Sequence, residues 1–112
     1  MSVIYDGYRR YIRILLLLPL ISVDLTPPVI YNCPRDITTN VEMGSWSDPV
    51  YWMEPWAIDD SGVTTLLTNS HSPGHRFPTG STLVTYMFIN RMNNVAACTF
   101  TVHGIPGKGK IG

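Results

Sequence analysis

This chain has no excess of charge of either sign: eight basic and eight acidic side chains cancel across 112 residues, and only 14% of residues are charged. A phosphate backbone is recognised by displacing its counterions with Lys and Arg, so this balance argues against nucleic acid as a partner. The same balance leaves no polybasic stretch for an anionic membrane surface. The longest apolar run, residues 14–21, is about half of the roughly 20 residues that cross a bilayer, and Pro19 interrupts it, so no stable membrane span is expected. Cysteine is limited to Cys33 and Cys98 with no CxxC spacing, which speaks against a zinc site. There is no Gly-rich phosphate loop, no G-x-S-x-G elbow and no N-x-S/T sequon, so none of those motifs points to nucleotide binding, acyl transfer or N-glycosylation. Catalytic residues, cofactor and metal are accordingly all read as none.

What the chain does have is turn formers and aromatics: nine Gly, nine Pro and twelve Phe, Trp and Tyr. At 12.5 kDa there is room for one domain. Dense punctuation with β-branched and aromatic residues favours many short strands over long helices, and it argues against disorder. Residues 1–23 differ from the rest. Arg9, Arg10 and Arg13 precede the apolar run, which is the layout of a secretory signal. The residues before Asp24 give no small-x-small cleavage site, so a non-domain N-terminal segment is the alternative.

From Asp24 onward the pattern predicts strands over residues 29–32, 37–41, 50–53, 63–68, 82–90 and a return strand carrying Ala96 to Val102. Pro27 and Pro28 cannot donate to a ladder and mark the first as an edge. Asp59, Asp60, Ser61 and Gly62 read as a turn, Ser72-Pro73-Gly74 as a type II turn, and Asn93-Asn94 as a hairpin. Val84, Tyr86 and Phe88 alternate with Leu83, Thr85, Met87 and Ile89, and Ala96, Cys98, Phe100 and Val102 alternate with Ala97, Thr99 and Thr101. The last nine residues, 104–112, read as a linker or frayed tail. Short strands at this spacing indicate an antiparallel two-sheet sandwich. Cys33 and Cys98 fall on its first and last strands at positions read as core-facing. They are either a bridge or two separate buried thiols.

The residues Asp24, Pro27, Pro28, Ile30, Cys33, Pro34, Asp36 and Ile37, then Val50, Trp52, Pro55, Ala57, Asp59, Ser61 and Gly62, together resemble the hyalin repeat, or HYR domain. Ser72, Pro73, Gly74, Phe77, Pro78, Gly80, Thr82, Val84 and Tyr86 continue the likeness, and Ala96, Cys98, Phe100 and Val102 close it. The resemblance covers residues 24–103 and implies an all-β, immunoglobulin-like sandwich in an extracellular setting. It also implies a role in adhesion or matrix assembly, as one module among repeats or beside complement-control and growth-factor-like modules. Together with the export layout it favours the Cys33–Cys98 bridge, which closes a loop of about 65 residues and in the chain-entropy account contributes roughly 4 kcal/mol. Asn90 stands where the family more often has Asp, and Asn93 where it usually has Gly. The second cysteine pair of many members is replaced by Ser61 and by Ser45 or its neighbours, and no ligand residue carries over.

His71 and His75 are four apart, but Pro73 and Gly74 between them forbid the helix that would pair them on a metal. Asp59 and Asp60 lack Ca²⁺-loop spacing and serve better as turn formers. Trp52 and Tyr86 are expected core anchors. On the opposite face of the long strand, Leu83, Met87 and Ile89 are apolar where a solvated sheet would be polar. They form a candidate interaction surface, with Trp56 as its rim, for protein partners or adjacent extracellular modules. Cover by the N-terminal apolar segment, or ordinary packing, is the alternative. A small secreted enzyme or soluble ligand-binding protein is the competing reading, and it would need polar groups gathered in one concavity.

Overall fold

The computed structural model describes residues 2–5, 11–15, 20–60, 62 and 64–107, those before Leu25 by their backbone alone. Nine strands are described: β1 (Ser2–Tyr5), β2 (Tyr11–Leu15), β3 (Leu20–Asp24), β4 (Val29–Tyr31), β5 (Ile37–Val41), β6 (Trp56–Ile58), β7 (Thr64–Asn69), β8 (Gly80–Asn90) and β9 (Val95–Pro106). No helix occurs among the described residues. Strands β1, β2 and β3 form an antiparallel meander that, among the described residues, pairs only with itself. The described parts of the lead-in are thus paired with one another. Residues 16–19 of the apolar run lie outside the described residues.

The body is a sandwich of a two-stranded sheet, β4-β6, and a four-stranded sheet, β5-β9-β8-β7. Alternation builds it. Val84, Tyr86 and Phe88 of β8 and Cys98, Phe100 and Val102 of β9 are all buried, and they meet Ala57 and Ile30 from the small sheet. Phe77 and Val50 complete the interior, with Trp52 packed against it. The Trp52 ring stands edge-on to Phe100, with centroids 5.2 Å apart. Burying this many large apolar side chains, at roughly 1.5–3 kcal/mol each, supplies most of the drive to fold.

Most ladders are antiparallel, as the spacing predicts, but β5 runs parallel to β9, with Ile37 opposite Val102 and Val41 opposite Pro106. This pairing draws β9 through residues 104–106, which had been expected to begin the tail, and Gly107 N–H then donates to the Val41 carbonyl at 2.7 Å. Gly104 is needed here by space alone. A Cβ at that position would lie 2.1 Å from the Pro78 carbonyl oxygen. Residues 108–112 lie outside the described residues.

Three local expectations are corrected. Residues 50–53 form no strand: Val50 makes one isolated bridge to His75, while Tyr51 to Met53 belong to no ladder. The alternation is real, since Val50 and Trp52 turn inward and Tyr51 and Met53 outward, but a loop supplies the backbone bonds instead of a strand. Pro55 does not end a strand; it precedes one, β6, consistent with the tolerance of Pro at a strand's first position. Cys33 is not on the first strand: it follows β4, after Asn32 at a left-handed φ of 59°, and it is exposed although its sulfur is bonded to buried Cys98.

The turns follow their residues. His75 N–H donates to Ser72 O at 3.2 Å around Pro73-Gly74, with Gly74 at φ 95°. Gly62 N–H donates to Asp59 O at 2.9 Å, with Gly62 at φ 74°; Ser61 and Val63 lie outside the described residues. At the last hairpin Asn93 adopts φ 64°, a conformation Asn tolerates.

Candidate functional site

Cys33 and Cys98 are bonded, with Cα atoms 5.7 Å apart and 65 residues between them in the chain. Cys98 is buried on β9, so the bond fastens the segment after β4 to the centre of the large sheet. A few residues on, Asp36 makes a second fastening. Its Oδ1 accepts from Thr101 N–H at 2.9 Å, and its Oδ2 lies 3.7 Å from His103 Nε2. His103 Nδ1 in turn shares a proton with Ser81 Oγ at 3.0 Å. The start of the domain is thus held to β9 by sulfur and by hydrogen bonds.

On the outer face of the four-stranded sheet, Leu83 is opposite Thr101, Thr85 opposite Thr99, Met87 opposite Ala97 and Ile89 opposite Val95. Met87 and Ile89 therefore join Val95 and Ala97 in a contiguous apolar quartet at the hairpin end, flanked on β7 by Thr65 and Thr68. Leu83, 59% exposed, is cut off from that quartet by the Thr85–Thr99 rung. Trp56 is not at its rim. Ala57 faces the core, so Trp56 and Ile58 point away from it on the other sheet, across the sandwich from Leu83. Val95 and Ala97 were missed as members of this surface. The Asn93-Asn94 hairpin sets Val95 opposite Ile89, and that register is the signal that finds them.

The small sheet has its own apolar exterior. Val29 pairs with Ile58 and Tyr31 with Trp56, and all four side chains are exposed. The Tyr31 and Trp56 rings stack with centroids 4.5 Å apart and planes 20° from parallel. Tyr31 lies on the β4 side of β6. On the β7 side, Trp56 walls a cleft of about 280 Å³ with Leu66, Thr64 and Glu54 above buried Tyr86 and Phe88. The cleft's only described carboxylate is held in place. Trp52 Nε1–H donates to Tyr86 OH at 2.8 Å, and Tyr86 OH donates to Glu54 Oε2 at 2.9 Å. Burial raises the Tyr86 pKa above its ordinary value; the Trp52 bond works against this and the Glu54 carboxylate adds to it. Thr64 Oγ1 donates to the Ala57 carbonyl and closes the seam between β7 and β6.

The loop before β8 brings His71 and His75 together without any helix. Their ring centroids are 4.8 Å apart, and both rings contact Phe77. Burial, and then the neighbouring His75, lower the His71 pKa. Among the described residues no three His, Cys, Asp or Glu side chains converge on a common point. A second depression, lined by Glu42, Asp48, Arg76 and Trp46, is polar and lies beside the loop end of β5. No helix among the described residues is long and apolar enough to cross a membrane.

A profile of the HYR domain family matches residues 23–103. The chain is similar to Hyalin of Strongylocentrotus purpuratus, 47% identical over 83 residues, which are 73% of this chain and 7% of that protein. It is 42% identical over 84 residues to Hyalin of Lytechinus variegatus, covering 74% of this chain and 16% of the relative. It is 32% identical over 84 residues to human Sushi repeat-containing protein SRPX2, covering 73% and 18%. The chain thus spans less than a fifth of the length of these relatives. No solved structure gives a significant match.

Proposed function

Because this chain belongs to the HYR domain family, we propose that it works as a non-catalytic protein-contact module of an extracellular protein, one repeat within a longer chain. The observation that carries the reading is the Cys33–Cys98 bond. Such bonds persist in oxidising surroundings outside the cytosol, and this one ties the start of the domain to its last strand. A body fastened in this way keeps its shape when neighbours pull on its ends, and its work is to hold position and present surface. The small share of each relative that the chain matches supports a modular role. Residues 1–23 lie before the module, as an export signal or a lead-in segment.

The contact surface in this reading is the outer face of the large sheet, with Leu83, Met87 and Ile89 meeting an adjacent module or protein partner. Apolar side chains at the centre of a face with a threonine border suit a contact whose middle is dry and whose rim is wet. The test is the pair Met87→Asp with Ile89→Lys, made in the protein with its flanking sequence and followed by sedimentation and partner binding. The reading expects association to weaken while the β-sheet spectrum is kept. Unchanged association and partner binding would remove this face from the function.

A further inference from the structure

We infer that the cleft between β6 and β7 receives an arginine side chain from a protein partner, with Glu54 as counter-ion and Trp56 as the stacking surface. The inference rests on the protein-contact reading above and adds to it a second site and the chemistry that fills it.

The carboxylate comes first. Glu54 Oε2 accepts from Tyr86 OH, whose own position is set by Trp52 Nε1–H. Tyr86 is buried and Trp52 packs against the core, so the bond Glu54 accepts comes from a hydroxyl whose own position is fixed, while the carboxylate itself is exposed. Among the described residues Glu54 has no basic partner, and its Oε1 accepts no hydrogen bond. An exposed acid with an open oxygen, beside a cleft floored by Tyr86 and Phe88, offers an incoming cation a carboxylate that has no basic partner of its own among the described residues.

The aromatic wall selects among cations. Tyr31 stacks on Trp56, and Trp56 also lines the cleft. Trp is the best π partner for a cation, and guanidinium both stacks flat on it and reaches a carboxylate with a planar fork. Ammonium offers only a point charge. Size agrees. The cleft of about 280 Å³ lies at the small end of ligand sites, which run from roughly 300 to 1,000 Å³, and it has room for one long side chain. The exposed Val29, Tyr31 and Ile58 beside it give the rest of a protein partner an apolar surface to rest on.

The experiment titrates the ¹⁵N-labelled, oxidised protein with N-acetyl-arginine methylamide, its lysine counterpart, and the neutral isostere N-acetyl-citrulline methylamide. The expected result is saturable shifts of the Trp56 indole N–H and the Thr64 and Leu66 amides with arginine, weaker with lysine, absent with citrulline and reduced by added salt. Glu54→Gln, which keeps an acceptor for Tyr86 OH, and Trp56→Leu should each weaken the arginine response by about threefold or more. Equal responses to arginine and citrulline, or tighter binding of lysine, would overturn the assignment, and the salt dependence of the unaltered protein decides it even if a variant misfolds. Met87→Asp should leave the probe response intact. Loss of the probe response with association through the large sheet preserved overturns the cleft alone, whereas a normal probe response with no association overturns the contact reading of the large sheet alone.

Discussion

Asn90 holds three backbone groups at once. Its Oδ1 accepts from Met92 N–H and Asn94 N–H, each at 3.0 Å, and its Nδ2 donates to Thr26 O at 3.0 Å. It is 5% exposed, so water cannot replace those bonds freely. Asn90→Ala should cost about 1 to 3 kcal/mol in urea unfolding, the penalty of leaving buried polar groups unsatisfied. Ser47 does similar work at the other end. Fully buried, it accepts from Phe77 N–H at 2.9 Å and donates to Asp48 O at 2.7 Å. Gly104→Ala should cost at least about 1 to 3 kcal/mol by overpacking, because the added methyl meets the rigid Pro78 carbonyl. Of these residues only Asn90 stood out in the sequence, and only as a departure from the family. Ser47 and Gly104 look like ordinary turn and tail residues, since what makes them necessary is a neighbour about 30 or 26 positions away.

At the scale of elements, β8 and β9 were legible because each buries one face and exposes the other over a long stretch, so Val84-Tyr86-Phe88 and Cys98-Phe100-Val102 announce themselves. Strand β6 was not, because three residues after Pro55 are too few to show a period. The parallel pairing of β5 with β9 was also out of reach, since alternation shows which residues face inward but not which strand lies alongside. The same limit explains Trp56: beside a turn, neither its direction nor its sheet could be read. The loop between β7 and β8 carries a prediction of its own. His71 has a lowered pKa in the folded protein, so the unfolded chain binds its proton more readily. Folding stability should therefore be fully present above a histidine's ordinary value of 6.5 and decline as the pH falls through the lower folded value. Denaturant midpoints between pH 7.5 and 5 check this, and His71→Gln should flatten that part of the profile.

For the whole molecule, the two-sheet sandwich was legible from turn spacing and two long alternating strands, whereas its immunoglobulin-like class and the choice of a bridge over two separate thiols came with the family resemblance. The two candidate contact sites were legible only in part. Met87 and Ile89 could be assigned to one face from period two, whereas the cleft at Glu54 and Trp56 depends on how two sheets meet. The sulfur bond should be a large share of the small net stability left after the entropy of ordering the chain. In the chain-entropy account its 65-residue loop is worth about 4 kcal/mol, so Cys33→Ser with Cys98→Ser should lower the unfolding free energy by about that amount. The most direct test of the account is the mass of the secreted protein after alkylation, with and without prior reduction. The account predicts no thiol alkylated before reduction and two after it; two thiols alkylated without reduction would contradict it.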